Sequence, residues 1–177
     1  MVPSKQRDSA QSAFTASSDL LDDVNRAVLA ELHANPRMSM SALGRRVGMS
    51  APAVTERVQR LERTGVIRGY RLDVDPAALG LPVTAFTRIR PAPGQLPRVA
   101  ELARQLSQVS ECYRITGEDC FLVKVHAATV PELEDLLDQF LLYGQTVSSI
   151  VVSTPVPPRP LPLPVAGGGG DRPHGGA

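Results

Sequence analysis

Between Ser50 and Arg63 the chain carries side chains suited to reading a polar, anionic surface. If Val54, Val58 and Leu61 face inward at helical spacing, Pro52, Glu56, Gln59, Arg60 and Arg63 face outward, with Thr55 and Arg57 on the flanks. Arg and Gln make paired hydrogen bonds to base edges, while a serine and the free amides at a helix start hold a phosphate. Ser39, Arg45, Arg46 and Arg68 lie close in sequence and extend the same patch. The candidate DNA contacts are therefore Ser39, Arg45, Arg46, Ser50, Pro52, Thr55, Glu56, Arg57, Gln59, Arg60, Arg63 and Arg68. Any amphipathic helix has a polar outer face, so periodicity alone does not decide the matter. Arg57, on a flank, equally suits an ion pair within the chain to Glu31, Glu56 or Asp23.

The elements that position these residues follow from caps and breaks. Leu21, Val24, Val28, Leu29 and Leu32 form a helical stripe opened by Asp19 or Asp22 and closed at Asn35-Pro36. Ser39 caps a second helix containing Leu43 and Val47, and Gly48-Met49 is a turn. Ser50 caps a third helix over Ala51–Thr64, with Pro52 in its first turn and Gly65 just past its end. Val66 to Leu72 then reads as two short extended pieces around Gly69, a β-wing. Residues 19–72 are thus a winged helix-turn-helix.

Composition narrows the partners. In 177 residues the formal net charge is +1, which excludes a global basic field, so nucleic-acid binding must rest on the local arginine patch. No segment approaches the roughly 20 apolar residues that span a bilayer, and a cytoplasmic protein is expected. Cys112 and Cys120 fall on neighbouring strands but out of register for a disulfide, and two ordinary thiols are expected. The glycine run Gly167–Gly170 does not lie between a strand and a helix, and so is no phosphate cradle. His33, His126 and His174 are scattered, and no metal site is implied.

Residues 73–82, with two prolines and a glycine, form a linker. Beyond it come a strand over 83–90, a helix over 96–108 with Val99, Leu102, Ala103 and Leu106 inward, and strands over 109–116 and 120–127. A helix over 129–142 opens with the capping box Thr129 and Glu132 and is striped by Leu133, Leu136, Leu137, Phe140 and Leu141. The last strand is 146–154. The order βαββαβ over 83–154 is the ferredoxin-like plan, and the fold class is α+β. Apolar residues on both parities of Phe121-Leu122-Val123 and Ile150-Val151-Val152 predict a sheet buried on both faces, the second covered by another copy. Residues 1–18 read as a disordered tail. Residues 155–177 are a Pro/Gly-rich tail, whose alternating Leu161, Leu163 and Val165 leave room for docking on a neighbour.

This arrangement resembles the Lrp/AsnC family of leucine-responsive, feast/famine transcription regulators. The resemblance rests on Leu21-Asp22 with Leu29, on Ser39 and Leu43, on Gly48-Met49-Ser50, and on Val54, Arg57, Val58 and Leu61. Gly65-Val66-Ile67, Gly69-Tyr70, Leu79-Gly80, Thr116 to Cys120 and Gly144 to Ile150 complete it. It implies a sequence-specific regulator of double-stranded DNA that is not an enzyme and carries no cofactor. It also implies a dimer, or a tetramer or octamer built from dimers, whose DNA affinity or assembly responds to a small effector, typically an amino acid. By the same resemblance the effector lies near Gly117, Glu118 and Asp119 and near Thr146 and Ser148. Cys120 stands where the commoner pattern has Asp, so an ammonium group falls to Asp119, Glu118 or backbone carbonyls. Gly117 permits close backbone approach and the two hydroxyls can hold a carboxylate or amide, although a plain hairpin turn would show the same residues. Two alternatives remain. One is a sirohaem-decarboxylase-like enzyme of the same architecture using His126, Arg88, Arg90 and Arg114; the other is an architectural DNA-wrapping protein without effector.

Overall fold

The computed structural model describes residues 20–163, which fall into two units. The first takes the described residues up to Arg71 and again from Pro158; the second is Leu72–Pro157. The expected tail over 1–18, Val165 and the glycine run lie outside the described residues.

Among the described residues, three helices of the first unit each start at a side chain that accepts from an otherwise orphaned amide. Asp22 accepts from Asn25 at 2.6 Å ahead of α1, Asp23–Ala34. Ser39 accepts from Ala42 at 3.2 Å ahead of α2, Met40–Val47. Ser50 accepts from Ala53 at 3.4 Å ahead of α3, Ala51–Arg63, one residue shorter than expected because Thr64 is the cap. Val28, Leu43, Val54 and Leu61 are fully buried and join the three helices in one core. Asn25, inside the apolar stripe of α1, is buried as well.

The turn between α2 and α3 depends on two glycines with different roles. Gly48 ends α2 in the left-handed region at φ +70°. Gly44 has ordinary backbone but no room: a Cβ there would stand 2.6 Å from the Met49 carbonyl oxygen. The Met49 amide in turn donates to the Gly44 carbonyl at 2.8 Å.

The expected β-wing does not form strands. Residues 64–75 contain no ladder. Val66 and Ile67 instead pack against the helical core, and the Ile67 amide donates to the Leu61 carbonyl at 3.0 Å. Tyr70 donates to Glu62 at 3.1 Å. Side-chain packing at the base of the segment removes the residues that would have paired across it.

In the second unit a 3-10 turn, Pro76–Leu79, precedes β1 (Val83–Pro91), α4 (Leu96–Gln105), β2 (Val109–Arg114), β3 (Phe121–Ala127), α5 (Val130–Leu141) and β4 (Gly144–Ile150). The strands form one antiparallel sheet in the order β2-β3-β1-β4, as the ferredoxin-like plan requires. Ala85, Ile89, Phe121, Val123 and Val125 meet Val99, Ala103, Leu133, Leu136 and Phe140 in a single core beneath the helices. Leu141, expected inward, is 51% exposed. Strand β4 stops at Ile150 because Thr84, which accepts from the Val151 amide at 2.8 Å, lies at the start of β1, and no strand continues beside it. The capping box at α5 is altered, since Glu132 accepts from the Ala128 amide at 3.2 Å and not from that of Thr129. Cys112 lies opposite Val123, and both cysteines are free thiols.

Within the single chain the face away from the helices is uncovered, and Phe86 and Val147 on it are exposed.

Gly44→Ala is expected to lower stability by about 1–3 kcal/mol through its clash with backbone. Gly48→Ala, in open space, costs about 1–2 kcal/mol through its φ alone. Denaturant unfolding of both variants measures the two costs.

Candidate nucleic-acid interface and sensing surface

Capping by Ser50 and burial of Val54, Val58 and Leu61 fix the rotation of α3, leaving Pro52, Glu56, Gln59, Arg60 and Arg63 exposed along one side. Arg45, Arg68, Ser39 and Ser50 are exposed too. Among the described residues, Arg45, Arg60, Arg63 and Arg68 have no carboxylate partner. Arg46 is tied to Glu31 at 3.2 Å, across to α1. Thr55 donates its hydroxyl to the Ala51 carbonyl at 2.7 Å, so its own helix occupies it.

Arg57 is held differently from its neighbours. It donates to Asp22 at 2.7 Å and to Asn25 at 3.0 Å, while Asn25 donates to the Leu20 carbonyl at 2.7 Å. None of the expected partners Glu31, Glu56 or Asp23 is used; Asp23 is taken by Arg26 at 2.6 Å. The Arg57 hydrogen bond, seconded by the Asn25 amide, holds the Asp22 carboxyl below its ordinary 3.8. Arg57 therefore braces α3 against the start of α1. Above this brace lies a cleft of about 280 Å³ lined by Asp22, Asn25, Met49, Ala53, Glu56, Arg57 and Arg60.

In the second unit the sensing candidates divide between two faces. Thr146 lies opposite Ile89 and Ser148 opposite Thr87, on the side of the sheet that packs the helices. Thr87 and Ser148 share a hydrogen bond of 3.0 Å. Glu118 and Asp119 turn to the other side, where Arg90 meets Glu118 at 2.5 Å and Asp119 at 3.6 Å, and Arg88 meets Asp119 at 3.8 Å. Gly117 has φ +111°, a conformation that favours glycine. The loop and the start of β4 lie at one end of the sheet, because Ile89 pairs with Phe121 on one side and Thr146 on the other.

His126 is nearly buried on β3, bonded through Nδ1 to Thr84 at 3.0 Å and through Nε2 to Ser110 at 2.9 Å. A bulge at Ser110 aims that hydroxyl at the ring. Burial and then Lys124 depress its pKa below 6.5, with Glu111 opposing. Both nitrogens are thus used in joining three strands. Arg114 lies over the Phe121 ring at 5.0 Å. Among the described residues no group of three or more acidic, His or Cys residues could hold a metal, and no helix is long and apolar enough to cross a membrane.

Residues 21–62 match the AsnC-type helix-turn-helix domain and residues 84–161 the Lrp/AsnC ligand binding domain. The HTH-type transcriptional regulator LrpC of Bacillus subtilis is 35% identical over 75% of this chain and 92% of its own length. The chain belongs to the Lrp/AsnC family of transcriptional regulators. The LrpC structure superposes on this regulator with a TM-score of 0.72, covering 76% of this chain and 96% of that one. LrpA of Mycobacterium tuberculosis is 35% identical over 77% of this chain and 93% of its own, with a structural TM-score of 0.70 over 77% and 96% of the two chains. A transcriptional regulator of Neisseria meningitidis in complex with L-Met gives a TM-score of 0.74 at 25% identity, covering 81% and 97%.

Two features of this Lrp/AsnC regulator were missed from sequence. The Asp22, Asn25 and Arg57 cluster needed the packing of α1 on α3; its one signal was an Asn inside an apolar stripe. The pairing of Arg88 and Arg90 with the loop carboxylates needed the strand register.

Arg57→Ala strands the buried Asn25 carbonyl and is expected to destabilise the helical unit by about 1–2 kcal/mol at pH 7. The Asp22 contribution is present above its unfolded value near 3.8 and is lost as pH falls through the lower folded value. Thermal melts between pH 7 and pH 3 should therefore show the gap between variant and parent narrowing in acid.

Proposed function

We propose that this Lrp/AsnC regulator binds double-stranded DNA through the exposed side of α3, with Gln59, Arg60 and Arg63 at base edges or phosphates and Ser39, Arg45, Arg46, Ser50, Pro52, Glu56 and Arg68 around them. The observation that carries this reading is the contrast within one helix: Arg57 is engaged inside the chain, whereas Arg60 and Arg63 are exposed without carboxylate partners among the described residues. Arg57 acts as a brace and Thr55 as part of its own helix. Arg60→Ala is expected to weaken binding to DNA upstream of the regulator's own gene about 5- to 100-fold, equivalent to about 1–3 kcal/mol, with assembly unchanged. Fluorescence anisotropy at several salt concentrations measures it; unchanged affinity throughout would show that the wrong face has been assigned. Broad, salt-sensitive binding with no sequence preference would favour the DNA-wrapping alternative.

The regulator works as a dimer or a larger assembly through the uncovered sheet face. That face presents Phe86 and Val147 beside half-buried Leu122 and Lys124, a mixed apolar and charged surface suited to a second copy. Phe86→Asp combined with Val147→Asp is expected to halve the mass measured by light scattering.

The effector is a small molecule of the amino-acid class, and the Neisseria relative's L-Met complex supports that class. Its ammonium group meets Asp119 or Glu118, competing with Arg90 and Arg88. Its carboxylate meets the arginines so released, while Thr146 and Ser148, on the other side of the sheet, respond only through the strand that carries them. Titrating each amino acid into the DNA-bound regulator tests this, since a shift in affinity or mass identifies the compound.

A further inference from the structure

Pro155 to Pro164 read Pro-Val-Pro-Pro-Arg-Pro-Leu-Pro-Leu-Pro, and as far as Leu163 they run without helix or strand. In a polyproline helix three residues make a turn, so residues two apart stand on different sides. The exposures follow that rule. Leu161 is 82% exposed, yet Leu163 is half-buried and packs on the apolar core of the three-helix unit. From Pro158 onward the arm belongs to that unit and not to the sheet unit from which it emerges. The core's partly buried rim includes Met38, Met40 and Met49, whose flexible thioethers adapt to an inserted side chain.

We propose that the three-helix unit carries a docking site for a proline-leucine segment, that this chain's own arm occupies it through Leu163, and that the docked arm is a second tether on the DNA-binding unit. The first tether is the chain at Arg71-Leu72. Docking is cheap for such a segment: it is already extended, and its prolines have no N–H to be stripped of water. The exposed residues of α3 are left free, so the arm restrains the unit without covering its outer side. The arm also continues directly from β4, the strand carrying Thr146 and Ser148. A restrained pair of DNA-binding units loses less freedom on engaging two half-sites, a consequence that rests on the DNA-binding reading above.

Full-length Leu163→Asp and Leu161→Asp are compared with the parent by hydrogen–deuterium exchange. Exchange in residues 20–71 is expected to quicken about threefold or more in Leu163→Asp, because a carboxylate will not stay on an apolar rim, and to match the parent in Leu161→Asp. Equal exchange in all three overturns the docking site. In mixed dimers of isotope-labelled parent and Leu163→Asp subunits, fast exchange confined to the variant subunit supports the chain's own arm as occupant. Fast exchange in the parent subunit gives the site to a second copy's arm and overturns that assignment. On DNA, Leu163→Asp is expected to lose about fivefold on paired half-sites and nothing on a single half-site; equal behaviour on both overturns the tether. A parent that binds no DNA at low salt defeats the DNA-binding reading, and the exchange results still decide the docking.

Discussion

The direction in which α3 leaves the helical unit depends on one close approach. The α2 backbone at Gly44 meets the Met49 carbonyl with no space for a methyl group, and the Met49 amide closes the contact from the other side. Given that contact, the Ser50 cap and the buried Val54, Val58 and Leu61 leave α3 a single rotation. Arg57 then braces α3 against the start of α1. Arg60 and Arg63 stand outside this scaffold and inherit their direction from it. A helix meant to present side chains to a rigid duplex needs such support, because errors in its angle grow along its length.

The helices and the strand order were legible because both rest on local signals. Ser39 and Ser50 announce caps, Gly48 and Gly65 announce ends, and the alternation of strand with helix beyond residue 83 leaves few topologies. What stayed hidden depended on residues distant in sequence. Arg57 could be seen to sit on a flank, but its partner could not be chosen, since Asp23 and Glu31 were as close in sequence as Asp22 and were claimed by Arg26 and Arg46. The wing was misread because Val66 and Ile67 have strand character, and only the folded core shows that they pack against helices. In the sheet, periodicity revealed apolar residues on both parities of β3 but could not show which face the helices would cover.

The sensing candidates were gathered as one set, yet strand register parts them. A strand's side chains alternate between faces, so Thr146 and Ser148 share a side with buried Thr87 and Ile89, while Glu118 and Asp119 turn to Arg88 and Arg90 on the other. Arg88, Arg90, Glu118, Asp119, Thr87 and Ser148 already have partners there. A ligand arriving at this end of the sheet must exchange those contacts for better ones, and the exchange would reorganise the surface proposed for a second copy. On the proposed reading, binding and assembly would be linked through the same few ion pairs.

The Thr84, His126 and Ser110 chain has a sense of direction. A neutral imidazole offers one N–H and one lone pair, so one hydroxyl must accept from the ring while the other donates to it. Only two arrangements satisfy the chain, each the reverse of the other, and switching between them moves the ring proton from one nitrogen to the other. Adding a second ring proton would require both hydroxyls to accept, and the Ser110 hydroxyl then has the Lys124 carbonyl, 3.4 Å away, as acceptor for its own hydrogen. The three strands thus share a polar seam whose orientation records the protonation state of a single ring.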